Sequence, residues 1–204
     1  MALTLRRTKG SQLTWDEVDE NWVAGRAFTG TVTLAGEATA YDDLLMPLVQ
    51  GKQGALDKPA WDATNLGYLF PNGDATQILF LNCQFPHRWL LGSRVYPHVH
   101  WHQAANQVPV FKIDYKWIEI GEAVPANWST YTMGTAVKTY PGSGTIHQLN
   151  AGAAGIDGTG FGLSSIMQIK LYRDDTVYTG NALATSFDIH IEIDSFGSNE
   201  EYIK

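Results

Sequence analysis

The sequence has a single cysteine, so no disulfide bond can form within one chain. Cys83 lies in the apolar run 78–85, and this setting predicts a buried, unreactive thiol. Serine catalysis is not indicated either, because the segment Gly162-Leu-Ser-Ser165 lacks the pattern of a nucleophile elbow. The sequence therefore predicts neither a disulfide scaffold nor a serine or cysteine hydrolase.

Charged residues are scarce, and positive charge is the scarcer sign. They make up 17% of the chain, with 14 Lys and Arg against 21 Asp and Glu, which gives a net charge of −7. The only basic cluster is the short run 6–9. Because binding to phosphate backbones or anionic membranes needs clustered Lys and Arg, we expect no nucleic-acid partner and no membrane partner.

Long apolar segments are also missing. The start of the chain has no apolar region of the kind that signal peptides carry, and no uninterrupted apolar run is long enough to cross a bilayer. We therefore expect the chain to be made and assembled in a cytoplasm.

Glycine and aromatic residues are plentiful, with 20 glycines and 12% aromatics. Strong strand patterns alternate with segments rich in Gly, Pro, Asn and Ser, whereas 35–75 and 134–162 are predicted mainly as loops. This pattern predicts an all-β protein, a jelly-roll-like antiparallel β-sandwich. The predicted strands are a weaker one at 28–34 and stronger ones at 77–85, 95–103, 108–120, 129–138, 165–173 and 183–195.

The first 25 residues differ from the rest and predict a short amphipathic helix. Thr14 and Glu17 have the spacing of a capping box, and Trp15, Val18 and Trp22 form one apolar stripe. A helix this short is marginal in water, so it packs either on its own domain or on a partner subunit. We accordingly divide the chain into an N-terminal segment, 1–25, and a β-sandwich domain, 26–204.

Three of the six histidines lie two residues apart in a strand-like run. His98, His100 and His102 should share one strand face, with Val99 and Trp101 on the other. Three interpretations stay open: a half-exposed polar face, a metal site with these three ligands, or an interface where copies of one histidine meet around a threefold axis.

The metal hypothesis has a specific form, because the spacing from Gly92 to His100 resembles the first motif of the cupin family. A partial second motif runs from Pro141 to His147, but its glycine and histidine come one residue late. The glutamate expected soon after the histidine pair is absent from 103–105. Under this resemblance His98, His100 and His147 would bind zinc, iron or nickel.

The predicted last strand alternates cleanly between apolar and polar residues. The isoleucines at 189, 191 and 193 should face the core, while Asp188, Glu192 and Asp194 face the other way as charged neighbours of the histidines. The acidic pair Asp42-Asp43 is interpreted as solvated. The residues predicted for an oligomer interface or charged strand face are His98, His100, His102, His190, Glu192 and Asp194.

Several segments resemble tailed-phage virion structural proteins over nearly the full length. The segment 6–22 resembles the attachment segment that begins many fibre and spike proteins. Other shared features occur at Tyr41-Asp-Asp-Leu44, Phe85-Pro-His87-x-Trp89, Tyr96-Pro-His98-Val-His100-Trp101 and Tyr115-Lys-Trp117. A last one is the segment 187–202, which begins Phe187-Asp-Ile-His190 and includes Gly197 and Tyr202.

The resemblance implies a non-enzymatic structural subunit of a bacteriophage virion, assembled in the bacterial cytoplasm. It implies a homo-oligomer, taken as a trimer, serving as a head decoration, a head or collar spike, or a short tail fibre. Its partners would be other capsid, neck or tail proteins, with a host-surface glycan as a further option. It implies no cofactor other than a metal ion at the histidines. Attachment would use Leu13, Trp15, Val18 and Trp22. The alternative is a cupin-like metal-dependent enzyme using His98 and His100.

Overall fold

A computed structural model describes residues 40–55, 57–198 and 201. These residues form thirteen β-strands and one turn of 3-10 helix at Leu48–Gln50, and the described part of the chain has no α-helix. The strands are β1 (Ala40–Pro47), β2 (Lys52–Gln53), β3 (Ala60–Asp62), β4 (Gly67–Phe70), β5 (Leu79–Gln84), β6 (Gly92–Gln103), β7 (Phe111–Ile118), β8 (Ser129–Met133), β9 (Thr135–Ala136), β10 (Ile146–Ala151), β11 (Ile156–Gly158), β12 (Ile166–Arg173) and β13 (Ala182–Ile193).

The strands form two antiparallel sheets. The larger sheet has the order β3-β4-β13-β6-β10-β9, with β1 also paired to β13 and β11 also paired to β6. The smaller sheet has the order β2-β5-β12-β7-β8. Every strand pair is antiparallel. The predicted all-β, antiparallel class is therefore confirmed.

One core lies between the two sheets. The larger sheet contributes β-branched and aromatic side chains such as Val99 and Phe187, and the smaller sheet contributes Ile113 and Leu171. An aromatic group closes one part of this core through near-parallel ring contacts. Its members are Phe85, Trp89, Trp117 and Phe161. These rings and aliphatic chains fill most of the space between the sheets, and the few polar side chains buried there, such as Asn150 and Ser165, hydrogen-bond to the indoles of Trp101 and Trp117.

The register between β6 and β13 positions the polar residues of the larger sheet. These two strands have twelve residues each, and Asp188 lies directly opposite His98. A β-bulge interrupts the pairing between Ala184 and Ser186, and such an extra residue changes which side chains oppose each other.

Two predicted loop regions contain strands. Within 35–75 the structure places β1, β2, β3 and β4. The first of these, β1, packs Leu44 and Met46 toward the core. The pair Asp42-Asp43 hides this strand from sequence patterns, because aspartate is depleted in strands. Within 134–162 the structure places β9, β10 and β11, where the short strands are separated by glycines. The loop prediction for these two regions is therefore only partly correct.

The N-terminal predictions fall outside the described residues. These are the helix after Thr14, the strand at 28–34, and the attachment residues Leu13, Trp15, Val18 and Trp22. No helix among the described residues has the length and apolar character needed to cross a membrane.

Candidate functional site

The histidine row lies on the outer face of the larger sheet. Along β6 the residues Val99 and Trp101 are fully buried in the core, whereas His100 and His102 are partly exposed. His98 has the same strand parity and is 8% exposed. The three histidines therefore share the face away from the core, as strand alternation requires.

Neighbouring strands bring other titratable residues to this face. On β13, Asp188 lies opposite His98, and on β1, Asp43 lies opposite His190. On β10, His147 lies opposite His102, diagonal to His100. We call the set Asp43, His98, His100, His147, Asp188 and His190 the histidine–aspartate cluster.

Asp188 is the centre of this cluster. Its side chain is 3% exposed, and its Oδ1 accepts a hydrogen bond of 2.8 Å from His100 Nε2. Its Oδ2 lies 3.0 Å from His190 Nε2 and 4.0 Å from His98 Nδ1. One buried carboxylate thus joins three imidazoles from two strands.

The hydrogen bonds to Asp188 keep its carboxylate ionised. Burial alone raises the pKa of this carboxyl, but hydrogen bonds from His100 and His190 outweigh burial and lower its pKa to about 2. The same hydrogen bond raises the pKa of His190, against the opposing effect of that residue's burial. The Asp188–His190 contact therefore favours the protonated form of His190.

His98 differs from its neighbours in lacking a hydrogen bond at Nδ1. Its side chain is 10% exposed, and its Nδ1 is buried without a hydrogen-bond partner. Its ring centroid is 4.0 Å from that of His190. Burial, together with the positive charge of His190, lowers the pKa of His98 to about 4. The ring is consequently neutral near pH 7, with a lone pair available at one nitrogen.

His100 and His147 form a second contact beside Asp188. His100 Nδ1 is 2.7 Å from His147 Nε2, and the two rings stack with an interplanar angle of 14°. Burial, and then the neighbours His100 and His102, lower the pKa of His147. With His100 donating to Asp188 through Nε2, its Nδ1 can accept a hydrogen bond from the Nε2–H of His147. This arrangement fixes the orientation of both rings.

The structure groups the predicted ligands differently from the sequence. Among the described residues, the group whose donor atoms all lie within 4.8 Å of one another is His98, Asp188 and His190. His100 contacts Asp188 and His147 instead. The predicted ligand sets, His98 with His100 and His102 or with His147, do not form such a group. Residues two apart on one strand are separated by about 6.6 Å, and the register of β10 places His147 opposite His102 rather than His98.

The remaining predicted interface residues lie farther along the same strands. His102 is opposite His147 and lies near the exposed Asp62, whose pKa is lowered mainly by hydrogen bonds from Asn65. Glu192 is on β13, and Asp194 follows the end of that strand. Sequence reasoning missed the part played by Asp43, since only its pairing opposite His190 reveals it.

The surface over the cluster is shallow. One depression of about 220 Å³ is lined by Tyr41, Tyr96, His98 and His190. A second one, of about 300 Å³, extends over the other members of the cluster. The core between the sheets is filled with side chains, so these histidines face open surface rather than an enclosed cavity.

Two other features are less suited to binding or catalysis. A groove of about 540 Å³ on the smaller sheet is lined by Phe80, Asn82, Trp128 and Gln168 among others, where Lys170 Nζ lies 4.0 Å above the Trp128 ring. Cys83 is buried, and burial raises its pKa to about 12. Its thiol is therefore protonated and unreactive.

Comparisons with protein-family models, with curated proteins and with solved structures found no match to this chain.

Proposed function

We propose that this chain is a non-enzymatic structural subunit of a bacteriophage virion, with a jelly-roll β-sandwich anchored through residues 1–25. The observation that carries this proposal is the position of the most chemically distinctive cluster on an open sheet face. Small-molecule sites are usually concave and bury most of their ligand. An open face with ordered side chains suits contact with another protein surface.

The composition of this face fits an interface between subunits. Around the buried carboxylate of Asp188 lie Tyr41, which is 63% exposed, and Leu45, which is 59% exposed. Exposed aromatic and aliphatic groups beside polar groups are typical of protein interfaces. Phage appendages are often trimers, so the proposed assembly is a threefold trimer that serves as a decoration, spike or short fibre.

The oligomer is tested by size-exclusion chromatography with light scattering on the full chain. We expect three times the chain mass. The double variant Tyr41→Ser/Leu45→Ser should give the monomer mass. The control is Val177→Ser, which changes an exposed apolar residue outside β1 and should stay trimeric. A wild-type chain that is monomeric at all concentrations would refute the trimer.

The virion role is tested on particles produced by the phage or prophage that carries this gene. Immunogold microscopy with antibodies to the folded domain should label the particles. Deletion of residues 1–25, or Trp15→Ala/Trp22→Ala, should remove the label while the domain stays folded. Glu20→Ala, off the apolar stripe, is the matched control. Unlabelled wild-type particles would refute the role, and labelled deletion particles would refute the anchor.

The alternative, a metal-dependent enzyme, has one observation in its favour. His98, Asp188 and His190 form a two-histidine, one-carboxylate set, which some non-haem iron enzymes use with open coordination positions. A redox-active metal held on a monomer with an exchangeable open position would favour this alternative over the structural subunit.

A further inference from the structure

We propose that His98, Asp188 and His190, with Asp43 as a fourth ligand, bind one divalent transition-metal ion such as Zn²⁺. The site would connect three strands, β6, β13 and β1. This proposal is independent of the virion role, because a metal that ties strands together stabilises either kind of protein.

The donor atoms are already close to the spacing that a metal requires. Zinc–nitrogen and zinc–oxygen bonds of 2.0–2.2 Å at tetrahedral angles place ligand atoms roughly 3.3–3.6 Å apart. The oxygen Asp188 Oδ2 lies 3.0 Å from His190 Nε2 and 4.0 Å from His98 Nδ1. These two distances bracket the required value, so small side-chain rotations suffice.

His98 supplies an independent reason for a ligand at this place. Its Nδ1 is buried and has no hydrogen bond, and an unsatisfied buried polar atom is costly. Its side chain is 10% exposed, and a neutral imidazole in this position presents a lone pair to the group that faces it. A metal ion facing Asp188 would satisfy that lone pair.

Asp43 is placed to complete the coordination. Its Oδ1 lies 3.1 Å from His190 Nε2, and its side chain is 66% exposed. A rotatable carboxylate at this position can reach an ion that replaces the proton of His190. Two carboxylates and two neutral imidazoles then balance the charge of a divalent ion and give four ligands.

His100 and His147 support the site without binding the ion. His100 Nε2 donates to Asp188 Oδ1 and leaves Oδ2 for the metal. His147 holds the other nitrogen of His100. Outer hydrogen bonds of this kind orient metal ligands, and their loss typically weakens metal affinity about 10–100-fold.

The ligand set selects the class of ion. Imidazole nitrogens combined with carboxylate oxygens suit Zn²⁺, Ni²⁺ and Co²⁺, whereas Mg²⁺ and Ca²⁺ prefer oxygen-only sites. We therefore expect Zn²⁺ to bind and Mg²⁺ not to compete.

The test is isothermal titration of Zn²⁺ into the metal-stripped, untagged full chain. We expect one ion per chain. His98→Gln and His190→Gln should each weaken binding by at least about 100-fold, since a lost ligand matters more than a lost outer contact. Asp43→Asn should weaken it less. His102→Gln, on the same strand and face, is the matched control and should bind as wild type.

Three results would overturn the proposal. They are an absence of saturable Zn²⁺ binding, wild-type affinity in both His98→Gln and His190→Gln, and a loss in His102→Gln as large as theirs. Circular dichroism verifies that each variant is folded, and His190→Gln keeps the test valid if the buried position 98 does not tolerate change. Co²⁺ substitution adds a second readout, because a four-coordinate site gives intense visible absorption and a six-coordinate one would contradict the proposed ligand set.

Discussion

At the scale of single residues, Arg173 is the clearest structural determinant outside the histidine–aspartate cluster. Its side chain is fully buried at the end of β12, and it makes a bidentate pair with Asp175 at 2.7 and 3.2 Å. The remaining guanidinium hydrogens reach the carbonyls of Phe70, Tyr178 and Gly180. All five donors are therefore used, and the loop after β12 is held against β4.

We expect Arg173→Ala to be strongly destabilising. Removing one partner of a buried pair leaves the other charge uncompensated, which costs about 3–5 kcal/mol. The measurement is the free energy of unfolding from urea denaturation. Arg94→Ala removes an exposed arginine that hydrogen-bonds the Gly155 carbonyl, and should cost about 1 kcal/mol or less. Equal losses in the two variants would contradict this account of Arg173.

Asp175 makes part of the stability depend on acid pH. Burial raises the pKa of this carboxyl, but hydrogen bonds from the Arg173 side chain and from the backbone N–H groups of Val110 and Tyr178 outweigh burial and lower it below 3.8. Because the pKa is lower in the folded state, the carboxylate stabilises the fold above pH 3.8. That contribution is lost as the pH falls from 3.8 through the folded-state pKa.

The expected result is a smaller acid dependence in Asp175→Asn. Urea midpoints measured between neutral pH and pH 3 should fall less steeply for this variant than for the wild type, although the variant is less stable at neutral pH. Glu122→Gln changes an exposed acid and should keep the wild-type slope. An unchanged slope in Asp175→Asn would show that other carboxyls determine the loss of stability in acid.

At the scale of elements, β11 is distinguished by how closely it approaches β6. A Cβ atom added at Gly158 would lie 2.2 Å from the Ser93 carbonyl oxygen and 2.6 Å from Cζ2 of Trp89. The pairing here contains a register shift between Ile156 and Gly158. Only a residue without a side chain fits between the strand and the indole.

Gly158→Ala should therefore destabilise the protein by about 1–3 kcal/mol through overpacking. Thermal or urea unfolding measures this loss, and altered tryptophan fluorescence should accompany it because Trp89 must move. Gly134→Ala is the matched control, since its added Cβ would lie at an ordinary 3.7 Å from Val110. A Gly158→Ala protein with wild-type stability would mean that the strand can shift freely.

The elements differ in how far the sequence predicts them. The long strands β6, β12 and β13 are predictable because their apolar residues alternate or run together, whereas β1 carries Asp42 and Asp43 and β11 contains a glycine. The shared face of His98 and His100 follows from alternation alone. The grouping of metal-ligand atoms does not, because it depends on the register of strands that are distant in sequence.

At the scale of the whole molecule, the first and the last described strands pair with each other. Ala40 of β1 lies opposite Ile193 of β13, and β13 also pairs with β6 and β4. The larger sheet therefore cannot be completed until nearly the entire described chain is present. The single core shared by both sheets couples their stability.

This topology predicts slow and cooperative folding. Pairing between distant segments must precede core formation, and proteins dominated by such pairings fold in roughly milliseconds to seconds. Stopped-flow refolding should lie in this range. Fluorescence of the buried Trp101 and Trp117 and far-ultraviolet circular dichroism should report one coincident urea transition.

Deletion of 182–204 should abolish folding because it removes the strand that joins β1, β4 and β6, whereas deletion of 202–204 should not. Two separate transitions would show that the sheets are stable independently, and a folded 182–204 deletion would show that β13 is dispensable for the core.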